Sequence, residues 1–280
     1  MKAIQTVMTT TRVDRHNDRM TIEALESMRD HIQSAYLPFI YNHDPRCPPL
    51  GRVISAEIVP LDDGEHALQA DVELFEAGPI PPLVGDKSIA ERSETGDGFV
   101  LSVDRTFDLP EFEEPVKAIT DLFGTQPRYE VKKALEPIAV LGITAGLLVA
   151  GKFAGAFFAK LGTDAAEALS AKLKAIFAQK PPEQERLLKF EFEFEDGGRR
   201  CQADVILTGP DAGEIDQFFV EGINELDKVL PKCLGQVDGL VRYVFTYTRD
   251  GLKLEFAVRR DARPMFPVTA APKTSSGPPG

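Results

Sequence analysis

The stretch IAVLGITAGLLVAGKFAGAFFA, Ile138 to Ala159, is 22 residues long and carries one charge, Lys152. Its length matches the roughly 20 apolar residues that a helix needs to span a hydrocarbon core. Pro137 stands where a helix can begin. Gly142/Gly146 and Gly151/Gly155 have the small-xxx-small spacing that lets two helices approach closely in lipid. The pattern predicts a central apolar helix, either crossing a membrane or buried in a protein core. Lys152 favours the core, because a lysine at mid-span is expensive unless it lies near an end and can snorkel. Lysines flank both ends (Lys132 and Lys133 before, Lys160, Lys172 and Lys174 after), so no orientation can be read.

Working outward, the chain after this stretch alternates helix and strand signals. TDAAEALSAKLKAIF has Leu169, Leu173, Ile176 and Phe177 on one helical face, and AQKPPEQE is a linker. A ββαββ unit over 184–260 follows. LLKFEFEFE alternates strictly, as a strand with one wet face must, and Asp196-Gly197-Gly198 turns it into RRCQADVILT. Asp211 to Val229 is a helix with Ile215, Phe218, Phe219, Ile223, Leu226 and Val229 inward. Arg249-Asp250-Gly251 joins LVRYVFTYT and LKLEFAVRR as a hairpin. Residues 261–280, rich in proline and glycine, read as a disordered tail.

Before the apolar stretch, residues 1–115 read as a β-rich domain with one helix. Strands are expected at 4–13, 37–41, 50–60, 66–75 and 98–107, with Asp62-Asp63-Gly64 as a hairpin turn. Thr21 can cap a helix to Gln33 that puts Ile22, Leu25, Met28 and Ile32 on one side. Residues 116–180 form a helical segment around the apolar stretch. The fold class is α+β.

At 280 residues the chain can hold two ordinary domains, and 43% hydrophobic with 27% charged residues is a globular composition. A net charge of −12, with no long basic run, argues against a nucleic-acid partner. Cys47, Cys201 and Cys233 are odd in number and widely spaced, which suits reduced thiols rather than a disulfide frame or a zinc site. MKAIQTVMTTTRVDR has no apolar run of secretory length, so cytoplasmic synthesis is expected, with membrane association if the apolar stretch inserts.

His43 raises the sharpest question. In YLPFIYNHDPRCPPLGRV it ends an apolar strand beside an aspartate, and it is one of four histidines. Either it is a catalytic base, or Asn42-His43-Asp44 before Pro45 is a polar bracket that holds a turn. His16 with Asp14 and Asp18 reads as a solvated turn rather than a metal nest, and no metal or other cofactor is expected.

The order VDRHNDRMTIEAL, then LPFIYNHDPRCPPLGRV, then a strand ending VELFE resembles the phage prohead (procapsid maturation) protease family over about residues 1–110. The resemblance implies a herpesvirus-assemblin-like barrel and a serine peptidase. His43 would be the general base, Ser88 in GDKSIAER the nucleophile with Ser102 in FVLSVDR as the other candidate, and Asp104 or Glu114 the acid behind the imidazole. Ala90 and Glu91 depart from the family's glycine and aromatic after the serine, and a glutamate there would oppose a developing oxyanion. Asn17 replaces a turn glycine, a milder change. Two functions are therefore expected: a membrane-tethered serine endopeptidase acting on a protein substrate, or an inactive protease-like module that binds a protein partner. The glycine-rich helix would serve as anchor or as a homo-oligomer contact.

Overall fold

In the computed structural model the described residues are 2–13, 19–76, 78, 81–83, 85, 87–89, 98–104, 107, 110–130, 138–179 and 185–267. Thr21 accepts a hydrogen bond from the Ala24 N–H and starts α1, Ile22–Ser34, which buries Leu25 and Ile32. These side chains pack on Val53, Leu68, Ala70 and Val72 of a four-stranded antiparallel sheet. Its strands are β1 (Lys2–Thr10), β2 (Leu37–Phe39), β3 (Gly51–Pro60) and β4 (His66–Leu74), in the order β1-β4-β3-β2. Gly51 is required by packing: a Cβ there would lie 2.3 Å from the Glu73 carbonyl oxygen.

A second, eight-stranded sheet takes up the rest. Its strands are β5 (Phe99–Asp104), β6 (Arg128–Glu130), β7 (Ala139–Leu148), β8 (Arg186–Asp196), β9 (Arg199–Thr208), β10 (Leu240–Thr248), β11 (Gly251–Arg259) and β12 (Pro264–Met265). They run in the order β12-β11-β10-β9-β8-β7-β5-β6, so one sheet crosses the boundaries expected near residues 115 and 184. One face carries Leu101, Leu141, Phe190, Phe192, Val205 and Phe245 and is covered by helices. These are α2 (Pro110–Phe123), α3 (Phe153–Leu161), α4 (Thr163–Ala178), α5 (Ala212–Gln217), a π turn over Phe218–Gly222, and α6 (Ile223–Cys233). The far face carries Val140, Leu187, Ile206, Val244, Phe256 and Val258, with Ile89 and Ile138 packed on it.

The apolar stretch is not one helix. Residues 139–148 are β7, a turn follows with Gly151 at φ +77, and only then does α3 begin. The Asp227 carboxylate accepts from the Phe153 and Ala154 N–H groups, which fixes that start. β7 lies between β5 and β8 with both faces covered, and a strand buried on both faces reads as an unbroken apolar run. Among the described residues no helix is long and apolar enough to cross a membrane. The glycine pairs expected to join two helices lie instead on a strand, a turn and a nine-residue helix.

The chain end also differs from expectation. Residues 261–267 are placed, with Asp261 buried and β12 paired to β11. The remainder of the expected tail lies outside the described residues.

Candidate functional site

β2 ends at Phe39, and the chain turns through Tyr41–His43. Asn42 (φ 50) and His43 (φ 54) are both left-handed, a conformation uncommon in residues with a Cβ though asparagine and histidine adopt it more readily than most. His43 is exposed, while Asp44 beside it is buried. The Asp44 N–H donates to the Tyr41 carbonyl at 3.1 Å and the Cys47 N–H to the Asp44 carbonyl at 3.0 Å. The Asp44 carboxylate accepts from the Arg46 N–H at 2.9 Å and from its guanidinium at 2.9 and 3.0 Å. The same guanidinium reaches Glu185 at 2.6 and 2.9 Å and Thr208 Oγ1 at 3.4 Å. Burial pushes the Asp44 carboxyl up, but the Arg46 hydrogen bonds and charge outweigh it and hold the group below the usual range. Hydrogen bonding from Arg46 lowers Glu185 as well. The polar bracket is therefore Asp44 with Arg46, and it fastens the His43 loop to the end of the large sheet where β8 begins and β9 ends.

Ser88 is held elsewhere. Its carbonyl accepts from the Tyr36 N–H at 2.8 Å, and the Ile89 N–H donates to the Arg260 carbonyl at 2.7 Å. That corner is the end of β11. Val258 of β11 lies opposite Arg242, and Arg242 opposite Gln202, six residues before Thr208. Six residues of strand span on the order of 20 Å. The two anchorages thus lie at opposite corners of the sheet, and Ser88 is not brought to the anchorage of the His43 loop.

Ser102 and Asp104 alternate on β5 and share its far face, with Ser102 half-buried and Asp104 buried. β5 ends beside the start of β7, next to the start of β8, which is the end where Arg46 is anchored. Ser102 is paired with Gly142, and Gly142 with Lys189. A Cβ on Gly142 would lie 3.3 Å from Ser102 Cβ and 3.9 Å from Lys189 Cε, so the glycine opens the space between them. Glu114, the other acid considered, is exposed on α2 and pairs with Lys172 at 3.1 Å, on the helix-covered side. Ala90, Glu91, Asn17, His16, Asp14 and Asp18 lie outside the described residues.

Lys189 heads a band of charge that sequence reasoning missed. It pairs with Glu191, to which Thr144 also donates, and Glu193 pairs with Arg200. Asp204 accepts from Arg242 at 2.9 Å and from Gln202 at 2.5 Å. Glu191, Glu193 and Asp204 are 3%, 4% and 0% exposed, so the glutamate face of KFEFEFE is covered at Glu191 and Glu193 and wet only at Glu195. Glu191 lies directly opposite Asp204, an arrangement that like charges disfavour unless each has its own cation; Lys189 and Arg242 are those cations. The strict Phe/Glu alternation showed two faces, but only the long-range cover makes the charged one a buried network. Among the described residues no group of three or more His, Cys, Asp or Glu side chains is arranged to hold a metal ion. No family model, curated protein or solved structure matches the chain.

Proposed function

We propose that the chain is a serine endopeptidase, prohead-protease-like in residues 1–110, with Ser102 as nucleophile, His43 as general base and Asp104 as the acid behind it. What supports the reading is one positional observation: Ser102 and Asp104 share a face of β5 at the sheet end where Arg46 fastens the His43 loop. A serine hydroxyl is far too weak an acid to attack at neutral pH, so it needs a base and a site that favours negative charge. His43 takes the Ser102 proton as Oγ attacks a peptide carbonyl, and Asp104 orients the imidazole and balances its charge. Lys189, the counter-ion of Glu191, lies across Gly142 from Ser102. The imidazolium then returns the proton to the departing amine, and water hydrolyses the acyl-enzyme. A membrane tether forms no part of this reading. A fluorophosphonate probe is expected to label the wild type and Ser88→Ala but not Ser102→Ala. Equal labelling of wild type and Ser102→Ala would overturn the assignment.

A second reading, a non-catalytic recognition module, is favoured by the exposure of Tyr41, His43 and Leu50 along one loop, where a partner protein would meet them. Folded wild-type protein that takes up no probe would support it.

A further inference from the structure

We infer that Arg46 is the positioning residue for His43, an inference that rests on the peptidase reading for its chemistry and on the loop's own geometry for its structure. Asn42 and His43 are two consecutive left-handed residues, a backbone that costs conformational energy even where asparagine and histidine tolerate it. Within the loop, the Asp44 N–H donates to the Tyr41 carbonyl, the Cys47 N–H to the Asp44 carbonyl and the Leu50 N–H to the Phe39 carbonyl. What ties the loop to the large sheet is one guanidinium with two carboxylates, Asp44 from the loop itself and Glu185 from the start of β8. Thr208 at the end of β9 adds a third acceptor at 3.4 Å. A planar fork can serve two carboxylates at once, which the single ammonium of a lysine cannot do with the same geometry. The Arg46 backbone N–H closes the turn on the Asp44 carboxylate at 2.9 Å, so the carboxylate that the guanidinium grips also sets the backbone next to His43. Arg46 therefore converts the position of the β8–β9 end into the position of the imidazole.

The experiment uses the full chain as wild type, Arg46→Ala and Arg46→Lys. In Arg46→Ala, amide hydrogen exchange over residues 41–47 is expected to quicken by about tenfold or more, with exchange in the β8 and β9 cores unchanged. Fluorophosphonate labelling of Ser102 is expected to fall roughly 10- to 100-fold, as a misplacement of about 1 Å would cause. Its pH profile should lose the inflection that a histidine base gives. Arg46→Lys should recover only part of the rate. Unchanged exchange over 41–47 would overturn the proposal, and so would a loosened loop with wild-type labelling rate and pH profile. If the wild type takes up no probe, the peptidase reading alone fails, and the exchange result still decides whether Arg46 holds the loop.

Discussion

At the scale of the residue, the decisive positions are those where the fold leaves no room. A Cβ at Gly51 would be driven into the backbone carbonyl of Glu73, which cannot move without breaking the β3–β4 ladder. Gly51→Ala is expected to cost about 3 kcal/mol, the upper part of the range for overpacking, measured by urea unfolding. The Asp44–Arg46–Glu185 bracket makes a second prediction. Both carboxyls are held below their ordinary pKa of about 4, so their stabilising effect is complete above that pH. It is lost as pH falls through the lower folded values. Protection from exchange over residues 41–47, taken relative to the intrinsic amide rate at each pH, should therefore be high at neutral pH and fall below about pH 4, before the sheet cores open. Glu185 is half-exposed, so solvent screens its share and the change should be modest. Asn42-His43-Asp44 was legible as a special turn because asparagine and aspartate before proline are turn formers. That Asp44 points inward and His43 outward was not legible, since it depends on Glu185, 139 residues beyond Arg46.

At the scale of the element, periodicity told most strands and helices apart where one face is wet or one stripe is apolar. α1, α4, the helix from Ala212 to Cys233, and the hairpins of β8–β9 and β10–β11 stand close to where their patterns put them. It failed at β7 for a physical reason. A strand covered by helices on one side and by packed or paired side chains on the other has no polar face to alternate with, so it looks like a buried helix. Its glycines, which suggested helix contacts, serve the strand: Gly142 lies against Ser102, and the Gly146 N–H donates to the Gly98 carbonyl at 2.9 Å. The strand reading makes its own demand. Ile143 is in the core against Leu101 and Phe190, its neighbours on β5 and β7's other partner β8. Ile143→Ala is expected to cost about 2–5 kcal/mol in urea unfolding, with the loss shared by both sheet neighbours in exchange measurements. A transmembrane segment would instead tolerate that change with little loss. The π turn at Phe218–Gly222 is the other element invisible to periodicity. Gly222 admits the Phe218 ring at 2.5 Å and the Tyr247 ring at 2.8 Å from its missing Cβ, contacts that no local pattern reveals.

At the scale of the whole molecule, a cluster of charges joins the two sheets. Arg52 on β3 donates to Glu73 at 2.9 Å and to the Asp261 carbonyl at 3.1 Å, and Arg263 reaches Glu73 from the other sheet at 3.4 Å. Arg259 donates to Asp261 at 3.0 Å and to the Pro81 carbonyl at 3.1 Å. Arg52 lies over the Tyr36 ring and Arg263 over the Phe75 ring. Three guanidinium groups thus share two buried carboxylates, Glu73 and Asp261. Removing one carboxylate from such a cluster leaves buried cations uncompensated, which costs about 3–5 kcal/mol. Because Glu73 belongs to the small sheet and Arg263 to the large one, Glu73→Ala should weaken the joint more than either core. Wild type is expected to unfold in one calorimetric transition and Glu73→Ala in two, the earlier belonging to residues 2–76. Glu73→Gln, which keeps hydrogen-bonding capacity but not charge, should fall between them. A single transition in Glu73→Ala at the wild-type midpoint would mean that apolar contacts such as Ile89 on Val244 and Val258 hold the sheets together instead.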